Sequence, residues 1–492
     1  MTTPVSEPIR LSSVAGRGLL AATIIASGMA LLDATVVNVA LPTIGAELGA
    51  NFAGLQWTLN GYTLTLAAFI LLGGSLGDRL GRRRIFLIGT VWFAVASLLC
   101  GLAPNIETLV AARALQGVGG ALLTPGSLAL ISASIHPDER ARAIGAWSAL
   151  GGVAAAIGPF LGGWLIDVWS WRLVFLINLP FAVLVVVAAV RYIPETSDPR
   201  ADARLDVPGA VLGALGLGAL TYALIAAGEA GWSALTAVTA IAGTLALAAF
   251  VLVELRSSHP MVPPVLFASR QFTGANLVTF VVYAALSGIF FLLVLDLQVV
   301  AGFSALLAGT ALLPLTVLML VLSARAGEVA QRIGPRLPMV VGPLVCAAGV
   351  LLMLRIGPDA SYLGDVLPAA SVFGLGLTIT VAPLTATVLA GAAQRFAGAA
   401  SGVNNAVARA AGLLAVAVLP ALAGLSGADY ERPEEFAAGF TIVLWVCAGL
   451  LVAGAALAAV TIANTLAQPA PADQRRHCSV NGPPLHPEWS AR

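Results

Sequence analysis

The chain has 492 residues, of which 59% are hydrophobic and only 10% charged, with a net charge of +1. A soluble domain carries about 25% charged residues, so a surface facing water on all sides is excluded and a lipid-facing one is expected. The near-neutral balance offers neither a basic footprint for nucleic acid nor a field for an acidic partner.

All 25 basic residues are Arg, because the chain contains no Lys. That absence excludes a phosphate loop of the G-x-x-x-x-G-K-[ST] type and a Schiff-base amine. ATP hydrolysed by this chain is therefore not an expected energy source, and no cofactor is expected. Residues 1–17 are polar with two Arg, and the apolar stretch after them is too long for the core of a cleavable signal peptide. It reads as the first spanning helix.

A span needs about 20 predominantly apolar residues. Such runs occur near 18–41, 54–77, 85–103, 107–133, 143–166 and 173–191, then near 207–228 and 232–255 around a short turn at Glu229–Gly231. Six more follow, near 273–299, 304–324, 337–356, 366–391, 397–425 and 437–464. The expected fold is an all-α membrane protein with fourteen transmembrane helices arranged 6 + 2 + 6. Its parts are a first six-helix bundle at 1–192, a linker with two extra helices at 193–272, a second bundle at 273–464 and a disordered cytoplasmic tail at 465–492. The two bundles are expected to enclose a path between them.

With the N-terminus inside, 20 Arg fall in inner segments and three in outer loops, Arg172, Arg355 and Arg432. This asymmetry puts both termini in the cytoplasm. Arg113 and Arg409 remain inside apolar runs. Of the four Cys, Cys100, Cys346 and Cys447 lie in apolar runs and Cys478 in the tail, without metal-ligand spacing, so packing is the expected role. The four His (His136, His259, His477, His486) fall in loops or the tail. That leaves no polar constellation for an enzyme.

The inner loop after the second span reads Gly74-Ser75-Leu76-Gly77-Asp78-Arg79-Leu80-Gly81-Arg82-Arg83-Arg84. It resembles the loop signature of the major facilitator superfamily. Three further segments resemble its fourteen-helix drug:proton antiporters: Leu32 to Pro42 in the first span, Arg113 to Gly120 in the fourth and Gly158-Pro159-Phe160-Leu161-Gly162-Gly163 in the fifth. The segment Trp171 to Pro180 fits as well. Two departures stand out: Ala154 occupies a position more often Gly, and a second-half copy at Gly327–Gly334 carries Gln331 where the first has Asp78.

Each motif has a physical reading. The Gly and Arg around Asp78 either serve topology alone or form a latch in which Asp78 pairs with a neighbouring Arg. The resemblance would place that latch near the N-terminus of the thirteenth helix, where the dipole favours a carboxylate. Asp33 lies deep in the first span, where an ionised carboxylate costs about 2.5–3.5 kcal/mol on insertion scales. It is either a proton carrier or a carboxyl bonded for packing. Arg113 is its candidate partner in proton coupling, or half of a structural pair. Asp296 and Gln298, near the outer end of the ninth span, suit either water contact or a cationic substrate. Arg409, with Asn404 and Asn405, reads as interhelical hydrogen bonding rather than substrate contact. Pro159 bends the fifth helix while Gly158, Gly162 and Gly163 permit close approach, serving either a seal between the halves or ordinary packing.

The resulting expectation is a monomeric plasma-membrane antiporter that exports small amphiphilic, drug-like compounds in exchange for protons. The alternative is a proton-coupled importer of a nutrient.

Overall fold

The structure is a computed structural model that describes residues 8–197, 206–257, 260–393, 396–427 and 432–464. The expected disordered tail at 465–492 with Cys478, and Arg200, Arg204, His259, Arg395, His477 and His486, lie outside the described residues. Among the described residues, fourteen helices are long and apolar enough to cross a bilayer. They are α1 (Val14–Leu48), α2 (Phe52–Leu80), α3 (Arg82–Gly101), α4 (Ile106–Ser134), α5 (Pro137–Val168), α6 (Arg172–Tyr192) and α7 (Val207–Ala230). The rest are α8 (Ala234–Arg256), α9 (Arg270–Val299), α10 (Ala305–Ile333), α11 (Arg336–Arg355), α12 (Tyr362–Ala390), α13 (Gly398–Leu422) and α14 (Pro433–Thr461). Among the described residues the one non-helical pairing is an isolated bridge between Ile9 and Ile135. It sets the start of α1 beside the α4–α5 loop, on the Arg-rich side. That side is the basic face.

Polar residues mark the helix starts. Ser13, Asn51, Asn105, Asp206, Ser233, Ser269 and Ser304 each accept a backbone N–H with their side chain at an N-cap. The expected turn at Glu229–Gly231 falls two residues later: α7 runs through Ala230, α8 starts at Ala234, and Gly231 leaves α7 at φ 79°.

Prolines set the internal breaks and leave usable acceptors behind, because each removes the N–H that would bond four residues back. In α6 the chain breaks at Ile177, just before Pro180. In α10 it breaks at Ala311–Leu312 before Pro314, and the freed Thr310 carbonyl accepts the Tyr362 hydroxyl at 3.0 Å. Pro420 frees the Val416 carbonyl, which takes the Gln56 side-chain amide at 2.6 Å. Pro159 frees Ala155, whose carbonyl lies 3.4 Å from the Thr35 hydroxyl. Apolar helices are stitched together where their own ladders are interrupted.

Helices α1–α6 pack mainly on one another, as do α9–α14. The pair α7–α8 stands beside them, with α7 against both α2 and α13 and α8 mainly against α7. Leu235, Val238, Ile241, Leu245 and Leu255 leave α8 outward-facing, as lipid requires. Glu229 at the end of α7 accepts Asn51 Nδ2 at 2.8 Å and the Gly427 N–H at 3.1 Å, so it touches the first six spans and the last six together.

Candidate functional site: a buried charge network beside a central cleft

Close packing of α2 on α4 builds the centre of the first six helices. Gly61 lies close against the Val110 carbonyl, and at Gly117 a Cβ would collide with Thr65 and the Tyr62 carbonyl. The small faces bring the backbones together. Arg113 of α4 thereby reaches the Thr58 carbonyl of α2 with Nε at 3.0 Å, and its guanidinium carbon lies 4.4 Å from the Tyr62 ring centre.

Arg113 then meets Asp33 of α1 at 2.6 Å, and both side chains are sealed, at 1% and 0% exposure. Gln116, one turn along α4, accepts Arg113 through Oε1 at 2.6 Å. Its amide nitrogen donates to Asp33 Oδ1 and to Ser97 Oγ, each at 2.8 Å. Asn178 follows the break in α6 and donates from Nδ2 to Asp33 Oδ1 and Ser97 Oγ, both at 3.2 Å. A buried ion pair is tolerable only when its remaining valences are met like this. Asn178 Oδ1 is buried and has no partner among the described residues. Gln116 and Asn178 stand inside the motif segments read above, but spacing along one helix gives no sign that both point at Asp33. Ser97 and Thr58 carry no sequence signal at all.

Next to this network lies a cleft between the first six and last six spans. Its larger part, about 710 Å³, is bounded by Thr35, Gly152 and Pro159 on one side and Tyr283, Phe290 and Met319 on the other. A second part of about 300 Å³ adjoins it across Ala34, Asn38, Tyr283 and Phe290 and is walled by α2 and α13. Asp33 lines neither part, although its neighbour Ala34 lines both.

The cleft is shut at the face opposite the basic one. Gln298 donates to the Val39 carbonyl at 3.0 Å, Gln56 to Val416, and the Phe52 N–H to the Gly427 carbonyl at 2.8 Å. Asp167 accepts the N–H groups of Ala305 and Leu306 at 3.2 and 2.9 Å, at the start of α10. Among the described residues, all hydrogen bonds joining the first six spans directly to the last six are at this end. Toward the basic face the cleft continues to Gly145 and Ala324, with α2 and α13 still touching at Leu71 and Gly402.

Two further groups of candidates are the α5 segment and the loop around Asp78. Gly158 and Gly162 bring α5 onto Thr35 and Val36 of α1, while Gly163 abuts Ala305 and Leu306 of α10; Pro159 borders the cleft. The segment thus packs within its own half and also seals the far end. Asp78 pairs with Arg82 of its own loop at 2.7 Å, and no bond joins it to α13 among the described residues. Gly81 takes φ 108° with the Glu195 carboxylate against it, a conformation open to Gly, and Arg83 bonds Glu195 and the Ile193 carbonyl. Gly74 and Gly77 have ordinary neighbours and Arg79 is exposed. Gly334 in the second copy keeps the positive φ, at 86°.

Two expectations about polar residues need correction. Asp296 does not reach water: it is 1% exposed, Oδ2 has no partner, and neither it nor Gln298 lines the cleft. Burial of the outer end of α9 behind the closed seam is the reason. Arg409 makes no interhelical bond among the described residues; its Nε donates to Asn405 of its own helix at 3.0 Å and it borders the cleft. Asn404 does reach α9, donating to Thr279 at 2.8 Å and Asn276 at 3.2 Å.

Known proteins share both the sequence and the architecture. The puromycin resistance protein pur8 of Streptomyces alboniger is 38% identical over 448 residues, covering 88% of this chain and 89% of that one. The multidrug resistance protein Stp of Mycobacterium tuberculosis is 36% identical over 390 residues, 78% of this chain and 72% of its own. The cephamycin export protein CmcT of Amycolatopsis lactamdurans is 36% identical over 419 residues, 84% and 86%. A solved peptide transporter in complex with sulfate matches the fold at TM-score 0.67 and 16% identity, covering 92% of this chain and 97% of that one. These likenesses are to transporters, not enzymes. The profile described as Major Facilitator Superfamily matches residues 23–416, and with it the chain belongs to that superfamily of membrane transporters.

Proposed function

We propose that this transporter is a proton-coupled antiporter of the plasma membrane, acting as a monomer with both termini cytoplasmic, that exports small amphiphilic, drug-like compounds. The relatives' names, resistance and export proteins for antibiotics, favour export over the nutrient-import alternative. The sealed Asp33–Arg113 pair beside the cleft is the observation that carries proton coupling. An ionisable residue inside the membrane is a candidate functional site by default, and proton relays are among the uses.

On this reading the basic face is cytoplasmic and the cleft is open inward, ready to load substrate. Rocking of the two six-helix bundles would open the sealed end and release it. Asp33 takes a proton as substrate leaves outward and gives it up to the inside. Protonation removes half of the ion pair and creates an O–H that needs an acceptor; Asn178 Oδ1 is buried and free nearby. One charge crossing 100 mV supplies about 2.3 kcal/mol, enough for a gradient of tens-fold.

The test is Asp33→Asn in a pump-deficient host challenged with antibiotics and dyes, with and without a protonophore. Wild type should lower intracellular dye in a protonophore-sensitive way, and the variant should insert normally yet fail. Full export by Asp33→Asn sinks the assignment.

A further inference from the structure

We infer that the smaller part of the cleft is an anion-recognition subsite built on Arg409, so the preferred substrates are amphiphiles carrying an acidic group such as a carboxylate or phenolate. This rests on the cleft being the substrate path.

Charge is the first ground. Among the described residues, neither part of the cleft is bordered by an Asp or Glu, and Arg409 is the one charged side chain bordering either. Arg113 is cancelled by Asp33 behind the wall, but Arg409 has no such partner. Among the described residues it bonds only Asn405, through Nε, which leaves both terminal NH₂ groups without an acceptor. A guanidinium matches a planar two-oxygen anion with paired parallel donors.

Asn60 supplies the second, independent ground. It borders the same 300 Å³ space from α2, is 1% exposed, and its Nδ2 donor has no partner. A buried donor without an acceptor is costly unless a ligand supplies one. Thr63 and Ser287 add hydroxyls to the same walls. The adjoining 710 Å³ space is mostly apolar, with Leu286, Phe290, Leu315, Met319 and Leu377 among its walls, and suits the body of an amphiphile.

The test uses full-length protein in phosphatidylcholine nanodiscs, where no anionic lipid can supply the charge, and three probes of one shape: 1-pyrenebutyrate, the neutral amide and the cationic amine. Wild type is expected to bind the carboxylate at least about tenfold tighter than the amide, as charge-assisted hydrogen bonds require. Arg409→Gln should abolish that preference while keeping amide affinity, and Arg409→Lys should retain part of it. Adding phosphatidylglycerol separates the sources: competition with pyrenebutyrate means that an anionic headgroup can also fill the subsite. Equal binding of all three probes by wild type, preference for the amine, no binding at all, or an unchanged preference in Arg409→Gln each overturn the proposal. Transport is read separately. Protonophore-sensitive ethidium export with no pyrenebutyrate preference breaks the subsite alone. Pyrenebutyrate binding without transport breaks the export reading alone.

Discussion

The two ends of the cleft are built differently. At the far end α5 lies against α10 with backbone on backbone, Gly163 against Ala305, and Asp167 holds the first N–H groups of α10. At the basic face the charged loop turns inward on itself: Asp78 takes Arg82, and Arg83 takes Glu195, all within the first six spans. One end is committed to the opposite half, while the other keeps its charges unspent on it. The difference teaches which contacts belong to this state and which must form in the other.

The largest expected effect comes from Gly163→Leu. A Cβ there would sit 2.5 Å from the Ala305 carbonyl oxygen and the Leu306 Cα, both backbone atoms that cannot swing aside. Spin labels at Val168 and Leu307 should move apart, with export falling by more than about tenfold if closure contributes some 1.4 kcal/mol or more. An unchanged distance would erase the contrast between the ends. Asp167→Asn is milder, because it weakens two charge-assisted bonds at a helix start. A loss of about 1 kcal/mol should shift the populations of the same label pair about fivefold toward the opened end. Gln298→Leu removes a single neutral bond, about 0.5–1.5 kcal/mol, and a smaller shift is expected in the same distance measurement. Smallest in stability is Asp78→Asn, since a half-buried i, i+4 pair at the water-facing end of its helix contributes about 0.3–0.5 kcal/mol. Its melting temperature in detergent should match wild type while its transport cycle slows. A melting loss as large as that of Asp167→Asn would show that the basic-face loop already supports this state.

Much of this architecture is legible from the residues alone. Hydropathy reports lipid against water, and lipid-facing helices such as α8 show it directly, so the spans fall close to the apolar runs. Asp33 and Arg113 stand out because charges inside such runs are costly. What apolar runs conceal is which helices touch. Asp296 and Arg409 look alike on that scale, yet one is walled off and the other borders the cleft. Ser97 and Thr58 act through a hydroxyl and a carbonyl that any span could offer. Asn178, just past the break in α6, meets Asp33 of α1 through a contact between helices that no pattern along one helix reports.

The sealing of Asp33 bears on what the resting protein does to its membrane. With the carboxylate at 0% exposure and tied to Arg113, Gln116 and Asn178, no open path joins it to the cleft. Under the proposed coupling, an idle transporter in this conformation is a plug and not a short circuit. A bilayer crowded with it should hold its pH difference, and slip should appear only in variants that crack the network, such as Gln116→Ala.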